Sequence, residues 1–248
     1  MRKNSYKSVI KNYKLGLSET RKQTKTGTQM ESIHIFVDWL TIRQKNDGRY
    51  TAVNDGHVMR VDQDGEVLHS TAITKNLEGS YSSSARVRIT DQFVELSFNP
   101  SRWNRSNNVF GVKYEHAIEV ANELMATLNQ PAFEKGRRHY LKSSMKKPQI
   151  LYTGAEITRI DMTINIETGS ARKLGAFMRH SYRQKLPLVE TRRKEETVYY
   201  GKSGKRKILK IYPKHKELLF RAEKSSNKEE VLKIASHCEN VGMARVEV

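Results

Sequence analysis

The sequence predicts an α+β fold: a curved, mainly antiparallel β-sheet with helices packed on its apolar face and a basic groove on the other. Two observations carry that expectation. Strand-length segments alternate strictly, as in Phe93–Phe98, where Val94, Leu96 and Phe98 face one way and Phe93, Glu95 and Ser97 the other. Strands of parallel α/β sheets are apolar on both sides and seldom alternate like this. Other segments place apolar residues at helical spacing, such as Ala117, Val120, Ala121, Leu124, Met125 and Leu128.

Residues 1–29 hold eight Lys/Arg against the single acidic Glu19, which reads as a flexible basic arm with a weak helix near Tyr6–Leu17. Residues 30–248 then form the working domain, with two lobes parting near 99–112, and Met30 is an internal start candidate. Ile33–Ile42 is the first strand. Asp62-Gln63-Asp64-Gly65 turns Gly56–Val61 into Glu66–His69, and Asp91-Gln92 turns Ala85–Thr90 into Phe93–Phe98. Pro100–Val112 is a polar loop, Tyr114–Leu128 a helix, and 135–147 a basic run.

Glu156–Ile166 is a long strand with Ile160, Met162, Ile164 and Ile166 on one face and Arg159, Asp161, Thr163 and Asn165 on the other. Such a polar face must look onto a groove or solvent, because unpaired charges are costly to bury. Ser170 caps a helix running to about Lys185, residues 185–194 read as a linker, and Asn227–Val241 is a helix stopped by Gly242. Met243–Val248 is a strand with Arg245 and Glu247 on one face.

The formal net charge of +18 and pI of about 9.9 imply a polyanionic partner, nucleic acid before a membrane surface. No apolar run approaches the ~18–20 residues that span a bilayer, and no hydrophobic segment follows the basic N-terminus as a secretory signal would require. The single Cys238 forms no disulfide within the chain and suits a reducing compartment. Gly-x-x-x-x-Gly-Lys-Ser/Thr is absent, which speaks against an ATP-driven helicase, and His-Glu-x-x-His is absent too. No two of the eight histidines are spaced His-x-His, so any metal should be held mainly by carboxylates.

The chemistry concentrates in residues 196–218. Two strands are joined by the basic turn Lys202-Ser203-Gly204-Lys205-Arg206-Lys207, and the second, Ile208–Tyr212, runs into a helix with Pro213 in its first turn. Tyr212 therefore stands at a strand-to-helix junction with Lys214, His215, Lys216 and Glu217 close behind. That presentation suits a nucleophile aimed at a DNA phosphate. Most tyrosines are half-buried packing residues, and with 11 in the chain the local pattern alone favours packing.

The same residues carry a resemblance. Glu196–Gly201 (Glu-Thr-Val-Tyr-Tyr-Gly) and Leu209–Leu218 (Leu-Lys-Ile-Tyr-Pro-Lys-His-Lys-Glu-Leu) resemble the active-site region of the filamentous-phage replication initiators of the gene II/X type. Val94-Glu95-Leu96, Asn108-Val109-Phe110-Gly111, Ile157-Thr158-Arg159-Ile160-Asp161 and Arg245-Val246-Glu247 fall in the family's order. The resemblance runs from about Phe93 to Val248, and is greatest to the initiators of the cholera-toxin-type filamentous phages. Members of the family continue beyond the point that matches Val248, so a longer chain is expected.

The resemblance implies a rolling-circle initiator working in the host bacterial cytoplasm. It would bind double-stranded origin DNA, nick one strand through Tyr212 as a 5′-phosphotyrosyl intermediate, and rejoin the displaced single strand, with host helicase and polymerase as partners. Tyr199 and Tyr200 are rival nucleophiles, and Lys214, His215 and Lys216 would support the reaction. If their strands share a sheet, Asp161, Glu247 and Glu95 converge beside Tyr212 and hold Mg²⁺ or Mn²⁺, with Glu217 in reserve.

DNA contacts are expected from Arg102, Trp103 and Arg105, an aromatic between two cations. Arg137, Arg138 and Lys142, then Arg159, and Lys202, Lys205 and Arg206 complete the set. Each has a plain counterpart: Trp103 packed under its loop, the cations as a solvated face, Glu95 as an ordinary strand carboxylate, His215 as packing. For the whole chain the alternative is a non-enzymatic basic repressor or architectural protein with Tyr212 in its core. The strand-rich pattern argues against a mostly helical tyrosine recombinase.

Overall fold

Among the described residues six strands precede the first α-helix, two groups of three strands follow, each ended by a helix or helix pair, and one strand closes the order. In order, the strands are β1 (Ile35–Lys45), β2 (His57–Val61), β3 (Val67–Ala72), β4 (Lys75–Glu78), β5 (Ser84–Ile89), β6 (Phe93–Phe98), β7 (Arg137–Leu141) and β8 (Gln149–Thr153). They continue with β9 (Ala155–Glu167), β10 (Thr191–Lys194), β11 (Thr197–Tyr200), β12 (Leu209–Pro213) and β13 (Met243–Glu247). The helices are α1 (Tyr114–Thr127), α2 (Ala171–Arg183), α3 (Lys214–Ala222) and α4 (Lys228–Asn240). This computed structural model describes residues 34–53, 56–141, 149–183, 191–194, 196–201, 208–225 and 227–248. The N-terminal arm, Lys142, and Lys202, Lys205 and Arg206 of the basic turn lie outside the described residues.

Among the described residues nine strands form one sheet in the order β10-β11-β12-β13-β9-β1-β6-β5-β4, with every neighbouring pair antiparallel. β2–β3 and β7–β8 are separate two-stranded hairpins. The α+β class and the antiparallel sheet are as the alternation implied. Sequence periodicity overlooked β4, β7, β8 and β10. Arg137-Arg138-His139 and Thr191-Arg192-Arg193-Lys194 carry the cations of a basic run, and cross-strand pairing rather than residue propensity makes them strands.

The faces differ from expectation in one respect. α1 and α2 cover one face: Leu40, Ile42, Val94 and Leu96 pack with Ala117, Ala121 and Leu124 of α1, and Val198 and Ile211 with Phe177 and Met178 of α2. The other face was expected to carry no helix, but α3 and α4 pack against it at the β13 end. Met243 projects from that side into a cluster with Val109, Leu218, Val231, Ala235 and Cys238, so an apolar residue on the otherwise polar face of β13 packs against both helices.

Candidate active site

Three adjacent strands, β12, β13 and β9, build the site by register. Lys210 lies opposite Glu247 and Tyr212 opposite Arg245; Glu247 in turn lies opposite Thr163, and Arg245 opposite Asn165. Residues two apart share a face, so Tyr212, Lys210, Glu247, Arg245 and Asp161 all point the same way. A register shift in β1 between Val37 and Trp39 adds both Asp38 and Trp39 to that face. Tyr212, Glu247, Asp161, Asp38, Lys210 and Glu217 line one open pocket of about 680 Å³.

The hydroxyl of Tyr212 donates to Glu247 Oε1, and Lys210 Nζ stands 3.2 Å from Glu247 Oε2. Burial, reinforced by the carboxylates of Glu217 and Glu247, pushes the Tyr212 hydroxyl well above the ordinary tyrosine range, against a smaller opposing pull from Arg245. At neutral pH the phenol keeps its proton, already directed at a carboxylate. Asp161 is held by Arg159 through a fork of 3.0 and 2.6 Å, and the Arg159 guanidinium lies 5.2 Å from the Trp39 ring centre.

Beneath the pocket is a buried polar layer. Arg245, fully buried, donates to Asn165 Oδ1 at 3.0 Å and to the Asn108 carbonyl at 2.6 Å. Asp38 accepts from Asn99 at 3.1 Å and Asn108 at 2.5 Å. Lys214, also fully buried, donates to Asn108 Oδ1 at 2.8 Å and to Glu217. Burial pulls its pKa down to about 8, although Glu217 acts in the opposite direction. For Glu217 burial works upward, but Lys214 and Arg221 overcome it and the net shift is downward. Gly111 completes this layer: a Cβ there would lie 1.8 Å from the Phe36 ring, which itself stacks under Arg245 at 5.1 Å.

The other expected site residues are spread over the molecule. Glu95 faces the same side but stands on β6, where it pairs with Arg43 at 2.5 Å and Arg88 at 3.5 Å, so it does not join Asp161 and Glu247. Its partner Arg43 is four residues along β1 from Trp39, roughly 13 Å at strand spacing. His215 opens not beside Tyr212 but into a separate cleft with Gly175, Met178 and Glu239, and burial lowers its pKa. Residues two apart on a helix face nearly opposite ways, about 200° around the axis, which splits His215 from Glu217. Lys216 reaches the rim and lies 3.8 Å from Glu196.

Of the rival tyrosines, Tyr199 lines the Tyr212 pocket, whereas Tyr200 is buried and donates to the Ser181 carbonyl. Trp103 packs against the main core, its plain counterpart. Arg102 donates to the Tyr81 carbonyl at 2.7 Å, and the Arg105 amide closes a turn onto the Arg102 carbonyl. Arg137 and Arg138 stand exposed on β7. Sequence reasoning passed over Asp38 and Asn99, and quoted Asn108 only within a family motif, without a role; a carboxylate interrupting the apolar run Ile35–Leu40 was the available signal for the first.

Among the described residues, no three His, Cys, Asp or Glu side chains cluster closely enough to form an all-protein metal cage. Mg²⁺ does not require one, since it commonly takes one or two carboxylates and completes its shell with water and substrate phosphate. Asp161 and Glu247, hard oxygen donors on one pocket wall, fit that pattern. Each of these carboxylates already has partners on both oxygens: Arg159 for Asp161, Tyr212 and Lys210 for Glu247, and Lys214 and Arg221 for Glu217.

A family model described as the N-terminal part of the phage replication-associated protein, the gene II product, matches residues 36–240. The chain belongs to that family. The replication-associated protein of Escherichia phage If1 is 25% identical over 179 residues, covering 65% of this chain and 55% of the relative. That of Enterobacteria phage I2-2 is 24% identical over 193 residues, covering 74% and 53%. The chain thus spans about half the length of these relatives. No solved structure matches significantly. The family match takes in the β1 bulge with Asp38, the 99–112 loop, Asp161 and Tyr212, and stops short of Arg245 and Glu247. Among the described residues no helix is long and apolar enough to cross a membrane.

Proposed function

We propose that the chain is a rolling-circle replication initiator that nicks and rejoins phage origin DNA at the Tyr212 pocket. The observation that carries this reading is the Tyr212 hydroxyl hydrogen-bonded to the Glu247 carboxylate in a pocket also walled by Asp161. A buried phenol with a raised pKa is a poor nucleophile by itself and needs a base. Glu247 takes the phenolic proton as Tyr212 Oη bonds to phosphorus. The bond from phosphorus to the 3′ oxygen breaks, that oxygen takes a proton from solvent, and a 5′-phosphotyrosyl link and a free 3′-OH remain. In closure a 3′-OH attacks the phosphorus and loses its proton to solvent, the bond from phosphorus to Tyr212 Oη breaks, and Glu247 returns a proton to Tyr212.

Lys210 and Lys216, at the wall and rim, attract the phosphate. Asp161 and Glu247 are the residues that would hold Mg²⁺ or Mn²⁺, which supplies positive charge to the scissile phosphate when bound. The polar layer of Arg245, Asn108, Lys214 and Glu217 holds β13 and α3 in register behind the tyrosine. The substrates on this reading are origin duplex and the displaced single strand, in the host bacterial cytoplasm, with host helicase and polymerase acting on the exposed ends.

The test is incubation with a supercoiled origin plasmid and Mg²⁺. The wild-type chain should yield nicked circles and a covalent protein–DNA adduct, and Tyr212→Phe should bind the origin but give neither. An adduct at normal yield from Tyr212→Phe would move the chemistry to another residue, with Tyr199 first in line. Origin binding without nicking by the wild type would favour a repressor.

A further inference from the structure

The pocket face of the sheet continues past the tyrosine. Trp39, Thr41 and Arg43 share that face of β1, and Arg–aromatic pairs run along it. Arg159 covers Trp39 at 5.2 Å; Arg43 and Arg88 then cover Phe93 at 4.6 and 4.8 Å. On the β7–β8 hairpin Arg138 approaches Tyr140 at 4.9 Å and Tyr152 at 6.0 Å. Register explains the last group, because Arg138 lies opposite Tyr152 and two residues from Tyr140.

Between this hairpin and the ends of β1 and β6 lies a second cleft, of about 560 Å³. Among the described residues its charged lining is Arg43, Lys45, Arg137 and Arg138 against the carboxylate of Glu156, and Tyr152 supplies its open aromatic ring, the Phe93 ring being covered by Arg43 and Arg88. Cations set beside exposed rings are what a single-stranded nucleic acid requires, since its bases stack and its phosphates pair. A duplex hides its base faces and would use the cations alone. Tyr152 in the lining and Tyr140 beside it are 67% and 65% exposed, so each ring keeps a solvent-facing side that a base can reach despite Arg138.

We propose that this cleft binds single-stranded DNA, holding the strand that leaves the Tyr212 pocket along the Trp39–Arg43 face. The proposal rests on the reading that the chain acts on DNA and names where the unpaired strand is gripped.

The experiment measures fluorescence anisotropy of a labelled 20-nucleotide oligothymidylate and of a non-origin duplex of equal length, without metal. The full chain is compared with Arg138→Ala, Tyr152→Ala and the double variant. Both side chains are exposed, so circular dichroism should be unchanged. The double variant should lose about tenfold or more in affinity for the single strand, with little change on the duplex. Unchanged single-strand affinity overturns the proposal. Equal losses on both DNAs also overturn it, and make the hairpin a duplex-groove reader. Selective single-strand loss in a wild-type background that fails to nick the origin plasmid would sink the nicking reading and leave the cleft standing.

Discussion

Glu247 and Glu95 stand on the same face of the same sheet, and each is held by neighbouring side chains. Glu95 lies between two arginines, Arg43 and Arg88, whose guanidinium groups do not give up a proton. Glu247 shares its oxygens between one lysine and the Tyr212 hydroxyl, so one of its bonds carries a movable proton. On the proposed mechanism, strand position alone does not make a carboxylate functional. What matters is whether its partner can give up a proton and whether a pocket lies in front of it.

Asp161 is the intermediate case and gives the largest expected effect. It is forked by an arginine like Glu95, yet lines the pocket like Glu247. Asp161→Ala should reduce nicking below detection while origin binding stays within a few-fold, because losing a carboxylate does not weaken attraction to phosphate. Equal loss of binding in a gel-shift titration would make Asp161 a structural partner of Arg159.

Glu247→Gln keeps the shape of the site and a hydrogen bond to Tyr212 but removes the proton acceptor. Nicking should fall by about 10²-fold or more, the range for a lost general base. Single-turnover nicking rates decide this, and a variant within about threefold of wild type would remove Glu247 from the reaction.

Lys214 extends the comparison to the buried layer. Its folded pKa of about 8 lies below that of an exposed lysine, near 10.4. Between those values the unfolded chain binds the extra proton, so stability rises with pH through that window and is penalised below it. Unfolding free energies from urea titrations of the wild type relative to Lys214→Met should shift in favour of the wild type by roughly 1–3 kcal/mol between pH 8 and 10.5. A constant difference over that range would mean that the lysine is not charged and desolvated in the folded state.

The smallest effect belongs to Glu95→Gln. Its ion pairs sit at a partly exposed site, so unfolding should change by about 1 kcal/mol or less, with nicking unaltered. A large nicking defect there would erase the distinction between the two glutamates.

Much of the sheet is legible in the residue order. The alternation of Phe93–Phe98 and Glu156–Ile166, the helical stripes, and the Tyr212 strand-to-helix junction all appear at or near their expected limits. Pro213 ends β12 and precedes α3 by one residue rather than opening it, a boundary set by its pairing with Ala244. Strands made of arginine and lysine, such as β7 and β10, were not legible, because their stability comes from partners rather than composition.

Sequence alone determined the class of fold, the polyanion-seeking charge and the faces on which Tyr212, Asp161 and Glu247 project, because strand periodicity is a local property of two residues. Tertiary structure decided which of those faces meet. The strand order β12-β13-β9-β1 brought Glu247 and Asp161 to Tyr212, left Glu95 to its arginines, and added Asp38 through a bulge. Pairing between residues far apart in the chain fixes that order, and no local pattern encodes it.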